Sequence, residues 1–550
     1  MKLSLLSRKR PLYGVVGMVA VATLLLASRS GWPGPIEAVD ECQDRLDVAA
    51  PVPTAALTLQ QSFVAQHDGL TAIELLLVVH ESPGRDESAG PHEAEVPVLT
   101  LSLLDRAGSR LHTQSWDALA LVHNQPLRFA FSPLARSAGR EYRLRLEGTA
   151  ANRATAWAYS LDGYQRGELA VELPPGQSSA GQALPLDLRF QTFYRYSLPA
   201  ALRDLSQSTA GQLGLFGALS LLLFLPGIAL FPSRSIPSRD LGVGFGVALA
   251  GSLICLPLGW LWLTQVGGRW SGPSLWLALG AAALLVGLRW RRRRPSLRLH
   301  PETAVLLLIL LLGLSVRMLA IRDLVMPPWV DSPQHVLVSR MMADSGMVPV
   351  GYRPWMPVDL FWYHFGFHAL AASLHQMTGF ALPQILLVGG QLLNALAPLS
   401  VYAGAVLLTG RRRAGLLAAF FVALLSLFPA YYLSWGRYTQ LSGMLILPPL
   451  LGLSFRFFGS ADRLAFVVLG RRAIRLGFLL GGLFLVHARV WIYALIWLPV
   501  AVIGVWTAGP SGPGSRSPAR APERWRSAIS PLLGWLAVVA GVMAACAIPW

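Results

Sequence analysis

Hydrophobic and polar residues follow two different periods along this chain. From 31 to 207 they alternate in short runs: Leu57-Thr-Leu-Gln-Gln-Ser-Phe-Val, Ala72-Ile-Glu-Leu-Leu-Leu-Val, Val96-Pro-Val-Leu-Thr-Leu-Ser-Leu and Glu141-Tyr-Arg-Leu-Arg-Leu, separated by Gly, Pro, Asp and Ser. A period of two packs one face of a strand and wets the other. Further runs at 127–131, 155–160, 168–172 and 186–193 bring the set to about eight, at the spacing of an antiparallel β-sandwich or jelly roll. From 211 onward the alternation gives way to long apolar stretches at 211–231, 241–264, 273–289 and 303–320. Each can cross roughly 30 Å of hydrocarbon as a helix. Later spans occur at 382–409, 414–433, 439–458, 474–487, 490–507 and 531–549. The stretch 361–377 reads as a helix lying along the membrane interface or dipping into it. The alternative is that it crosses and that 382–409 splits near Pro398.

At the start, Lys2, Arg8, Lys9 and Arg10 precede an apolar run over 11–27, a signal anchor or signal peptide. An anchor fits better, because no small-x-small cleavage site closes the run, and either one exports the residues from 31 onward. The expected organisation is therefore an anchor over 1–30, an extracytoplasmic β domain over 31–207, additional transmembrane helices over 208–300 and a helical module over 301–550. The fold class is a polytopic α-helical membrane protein carrying an inserted all-β domain.

Composition agrees: 53% of the residues are hydrophobic and only 14% are charged, outside the range of soluble domains. The net charge of +17 could suggest nucleic acid, but the arginines cluster beside apolar runs, at 8–10, 291–294, 411–413 and 471–475. That is the pattern of cytoplasmic flanks, so the charge predicts topology and no nucleic-acid partner. Cys42, Cys255 and Cys546 are the three cysteines, and only Cys42 lies in the exported domain. Packing rather than a disulfide must hold that domain. With the β domain outside, alternation puts Arg234, Arg239 and 291–294 inside and delivers 321–360 to the outer face. The clusters at 463–475 and 516–526 then fall inside, leaving Trp435-Gly-Arg-Tyr and His487-Ala-Arg outside. The conspicuous polar groups of the second half thus collect on one side.

Ionisable groups near membrane depth are costly and tend to face a cavity or pathway. The richest stretch is Pro327-Pro-Trp-Val-Asp-Ser-Pro-Gln-His, then Gly346-Met-Val-Pro, then Asp359-Leu-Phe-Trp-Tyr-His-Phe-Gly-Phe-His. Asp331 can act as a base or simply cap the helix after it. His335 lies one turn beyond. His364, His368 and His375 fall on one helical face, where they can bind metal or line a polar groove; the groove is the favoured reading. Asp359 can cap that helix or assist Asp331. Arg437, flanked by Trp435 and Tyr438, and Arg489, two residues after His487, can clamp phosphate oxygens. Their bland alternative is snorkelling to headgroups. Arg340 and Arg353 are weaker candidates. No P-loop, Gly-x-Ser-x-Gly or Gly-x-Gly-x-x-Gly fingerprint occurs, which disfavours a cytosolic nucleotide-sugar donor.

The order of these features over 301–550 resembles the GT-C superfamily of membrane glycosyltransferases, distantly the protein mannosyltransferase and aminoarabinose transferase group. The resemblance rests on Asp331-x-x-x-His335 after a transmembrane helix, the helical stretch ending at Gly346, the aromatic and histidine-rich 363–368 segment, and Pro429-Ala-Tyr-Tyr-Leu-Ser-Trp-Gly-Arg-Tyr. It implies a polyprenyl-phosphate sugar donor, a glycan or protein acceptor, catalysis by Asp331 and His335, and a divalent cation (Mg or Mn) held by the same pair. It also implies substrate contacts from Asp359, Tyr363, His364, His368, Trp435, Arg437, Tyr438, His487 and Arg489. Two departures stand out: four extra helices precede the module, and no second acidic residue adjoins Asp331. In the β domain, 61–73 with Ser137-Ala-Gly-Arg-Glu-Tyr resembles jelly-roll modules of carbohydrate-binding proteins. Two other functions fit the same residues: a transporter or flippase for lipid-linked glycans, and a membrane-anchored polysaccharide-binding protein without catalysis.

Overall fold

The computed structural model describes residues 36–80, 96–172, 182–231, 240–292, 300–459, 466–507 and 521–550. The expected anchor over 11–27 and the basic residues at 8–10, 234, 239, 293, 294, 463 and 516 lie outside them. The chain forms two compact units, Met1–Leu202 and Arg203–Trp550.

The first unit is built of β1 (Ile36–Gln43), β2 (Val48–Ala49), β3 (Thr58–Val64), β4 (Leu70–Val79), β5 (Val98–Asp105), β6 (Arg110–Asp117), β7 (Pro126–Leu134), β8 (Glu141–Gly148), β9 (Ala154–Tyr159), β10 (Leu169–Glu172), β11 (Gln182–Leu184), β12 (Asp187–Leu188) and β13 (Phe190–Tyr196). One sheet runs β1-β13-β4-β9-β12, with β2 on β9 and β7 on β4; the other runs β11-β10-β3-β8-β5-β6. The alternating positions do what their period demands. Leu59, Phe63, Leu101 and Leu144 from one sheet meet Ile73, Leu75, Phe129 and Phe190 from the other in a single core. Phe63 lies 5.9 Å from both the Tyr142 and Phe190 rings. The runs read from the sequence became strands. β6 gave no such signal, because it is an edge strand paired to β5 with nearly every side chain in solvent; β1 is masked in the same way by its acidic residues.

The unit boundary falls inside α1 (Leu198–Ala210), and the second unit is helical: α2 (Leu213–Leu230), α3 (Leu241–Gln265), α4 (Gly272–Arg292), α5 (Pro301–Ala320), α6 (Asp331–Ser345), α7 (Gly366–Thr378), α8 (Leu382–Thr409), α9 (Arg412–Phe420), α10 (Ala430–Ser434), α11 (Tyr438–Phe458), α12 (Phe466–Val486), α13 (Ala488–Thr507) and α14 (Ala521–Ala547). Among the described residues, 8 helical segments are long and apolar enough to cross a membrane. α8 runs unbroken through Pro398, so 382–409 is one helix and does not split. α7 has 13 residues, about 20 Å, too short to cross. It starts later than expected because the preceding backbone is used elsewhere: Phe361 N–H donates to Val350 O (2.9 Å) and Phe365 N–H to Leu485 O (3.1 Å). The span expected over 414–433 is interrupted. α9 passes into a π-helical turn, Phe421–Leu425, the helix stops at Ser426, and α10 resumes only after Pro429, whose nitrogen offers no donor.

The helix termini sort the polar residues between two ends of the bundle. At one end, Arg289 donates to Ala229 O, Arg412 pairs with buried Asp240, Arg456 donates to Leu407 O at 2.7 Å, and Arg475 lies over Phe231. At the other, the 321–365 connection meets the C-terminus of α3, through Val348 N–H to Thr264 Oγ1 (3.0 Å), and the C-terminus of α12, through Phe365.

Candidate functional site

The end away from the clustered arginines holds most of the residues singled out from the sequence. α6 begins at Asp331, and its N-cap is Val330 with no side-chain cap. Asp331 is thus not engaged in capping. Its side chain is exposed, and among the described residues its carboxylate makes no hydrogen bond or ion pair. Trp329, two residues earlier, has φ +78°, a left-handed conformation that costs a bulky residue about 1–3 kcal/mol. That turn lays its ring on Trp435, with centroids 5.6 Å apart and planes within 6°. Tyr431 packs against Trp435 at 4.5 Å, tilted by 41°, and the Arg437 guanidinium lies over the same indole at 4.9 Å. The result is an aromatic shelf with a cation at its edge.

Gly436 joins shelf and carboxylate. It sits at φ +64°, and a Cβ there would lie 3.1 Å from Ser332 Oγ and 3.2 Å from Asp331 Cβ. Glycine supplies both the conformation and the close approach. At the first position of α11, Tyr438 is buried, stacks on Phe367 at 5.0 Å, and rests on α8 at Gly390, where a Cβ would come within 2.6 Å of the ring.

Behind the carboxylate lies a histidine cluster. His335 Nδ1 is 2.9 Å from His368 Nε2, and both rings are buried. His364 Nε2 is 3.1 Å from Thr439 Oγ1, and its ring lies 4.4 Å from that of His487. Burial pushes His335 down to about 4, partly offset by its bond to the Gly436 backbone and the charge of Asp331. Burial, then the repulsion that His487, His335 and Arg489 would exert on its protonated form, takes His364 to about 3, and burial drives His368 well below the usual imidazole value. These are neutral imidazoles at physiological pH. Tyr363 occupies the centre, stacked on His364 at 4.2 Å, 5.7 Å from His368 and facing the Thr439 hydroxyl, within the field of Asp331, Arg489 and Arg437.

Asp331, His335, Tyr363, His364, His368, Trp435, Arg437, Tyr438, His487 and Arg489 therefore converge. Asp359 does not: it is exposed and paired with Arg353, and it cannot cap α7, whose N-cap is Phe365. Arg340 is taken by Asp344. His364 precedes α7, and His375, at the far end of that helix, bonds Phe380 O at 2.8 Å, so the three histidines do not form the single helical face that their spacing suggested. The residues present do not fit a resident cation. His335 commits its ring to His368 and Gly436, leaving Asp331 alone, and among the described residues no three His, Cys, Asp or Glu side chains form a metal-holding group.

One functional candidate has a role that its local sequence does not mark. Arg317, in the last turn of α5, is only 6% exposed; it looks like one more basic helix end, and nothing in its local sequence marks its partners. No protein-family model, curated protein or solved structure matches the chain.

Proposed function

We propose that this protein is a membrane glycosyltransferase of GT-C type, moving a sugar from a polyprenyl-phosphate-linked donor to an envelope glycan or protein at the extracytoplasmic face. The observation that carries the reading is a carboxylate, Asp331, with no ion pair or hydrogen bond among the described residues, which meets Arg437 and Arg489 around Tyr363 next to a shelf of Trp329, Trp435 and Tyr431, all at the end of the bundle away from the clustered arginines. Asp331 takes the proton from the acceptor hydroxyl as its oxygen attacks the anomeric carbon, and the sugar–phosphate C–O bond breaks with its electron pair going to the phosphate. Arg437 and Arg489 receive that charge. The shelf offers π-faces to a sugar ring or an isoprenoid unit. The neutral histidines add no positive charge and serve as hydrogen-bonding walls.

The pairing β2-β9-β4-β7 in one sheet and β3-β8-β5-β6 in the other supports the jelly-roll reading of the β domain, to which the proposal gives the task of orienting the acceptor. The test is transfer of labelled sugar from a panel of polyprenyl-phosphate sugars by the full chain in lipid nanodiscs. Product formation from one donor, reduced about 10- to 100-fold at limiting donor by Arg437→Ala, is expected; no product from any donor overturns the assignment in favour of transport or scaffolding.

A further inference from the structure

The interruption between α9 and α10 creates a problem that the fold must solve. Ending a helix at Leu425 leaves carbonyls without their intrahelical donors, and in a segment of membrane-spanning composition there is no water to replace them. Phe428 N–H is turned to Ser426 Oγ (3.2 Å), and Pro429 has no N–H at all. The missing donors come from two side chains on other helices. Arg317 Nη1 donates to Ala423 O at 3.1 Å and to Gly313 O at 2.9 Å, and Nε donates to Asn394 Oδ1. Asn394 Nδ2 in turn donates to Pro429 O at 2.7 Å. The two ends of the break, Ala423 and Pro429, are thereby tied to α5 and α8 through one connected network. The cost of burying a guanidinium with no carboxylate among these partners is large. It is offset only because Arg317 satisfies carbonyls that would otherwise be orphaned.

Asn394 lies one turn along α8 from Gly390, on which Tyr438 rests. Asn394 and Gly390 therefore fix the two ends of the 429–438 segment, the piece of chain that carries Tyr431, Trp435 and Arg437. We propose that Arg317 is a positioning residue for the substrate shelf: through Asn394 and the Ala423 carbonyl it holds the broken helix open so that Trp435 and Arg437 face Asp331. This deepens the glycosyltransferase reading and rests on it for the identity of the substrate, but not for the mechanical claim.

The test uses the full chain in nanodiscs with Cys42, Cys255 and Cys546 replaced by Ser and a nitroxide on a cysteine introduced at exposed Ser434, with a control label at exposed Ser271 on the α3–α4 connection. Arg317→Met keeps the stem and removes every donor; Arg317→Lys keeps the charge with a different donor geometry. Mobilisation of the 434 label in the Met variant, a smaller change in the Lys variant and an unchanged 271 label are expected. An immobile 434 label in the Met variant, or equal loosening at both sites, overturns the proposal. In the transfer assay the Met variant should raise donor KM at least tenfold, with a smaller fall in kcat because Asp331 is carried by α6; a loss confined to kcat overturns it. If wild type transfers no sugar from any donor, the glycosyltransferase reading falls, while the label mobilities still decide the role of Arg317.

Discussion

Replacing Asp331 with Asn removes the carboxylate and little else. The side chain is exposed and makes no hydrogen bond or ion pair among the described residues, so no partner is orphaned by the change. The structural loss is a negative charge in the first turn of α6, worth about 0.3–1 kcal/mol through the helix dipole, which should lower the apparent melting midpoint by at most about 2–4 °C. The chemical loss is far larger, because a positioned base contributes about 10²–10⁴-fold to a proton-transfer step. The assay is single-turnover transfer from the active polyprenyl-phosphate sugar in nanodiscs, with donor binding measured separately by filter retention. The expected result is a fall in rate of that size with donor affinity held, since the phosphate contacts belong to Arg437 and Arg489. A rate within about threefold of wild type, less than 1 kcal/mol of barrier, would refute the assignment of Asp331 as base. Undiminished translocation of lipid-linked glycan by the same variant would then move the site to the flippase reading.

Arg437→Ala and Arg489→Ala should each weaken donor binding about 10- to 100-fold, the worth of a hydrogen bond to a charged group; Lys should restore Arg437 only in part, because a point charge does not reproduce a guanidinium stacked on Trp435. Gly436→Ala forces a side chain into a left-handed position at a cost of about 1–2 kcal/mol and pushes on Asp331 and Ser332; both melting midpoint and kcat should drop, and an unchanged kcat would separate the shelf from the carboxylate. His335 and His364 are held near 4 and 3, below the unfolded value of about 6.5. The unfolded chain therefore takes up protons first as pH falls, and stability is lost from about pH 6.5 down towards 4 at up to about 1.4 kcal/mol per pH unit per histidine. Thermal unfolding between about pH 7 and 4.5 should show this slope, and His335→Gln should reduce it. Chelator should leave transfer unchanged, since Asp331 has no companion ligand; a chelator-sensitive rate would show that donor phosphate and protein assemble a cation site together.

The features legible in the chain are those set by local interactions. Apolar run length sets whether a helix can span hydrocarbon, so the spans at 241–264, 382–409 and 439–458 are legible residue by residue, and period-two alternation does the same for β3, β4, β5 and β8. Strand β6 was invisible because an edge strand buries almost nothing, and the break after Leu425 was invisible because Pro429 permits it while donors on other helices make it tolerable. The candidate site divides along the same line. Residue type and order marked Asp331, His364, His368 and Arg437, because charge and imidazole are conspicuous in an apolar sequence. Only tertiary structure decided that Asp359 is paired away with Arg353, that His375 turns to Phe380, and that Trp329 stacks on Trp435 across roughly a hundred residues of chain. The same holds for Arg317: its chemistry is plain in the sequence, but its partners Ala423 and Asn394 are brought to it by helix packing, which no local pattern encodes.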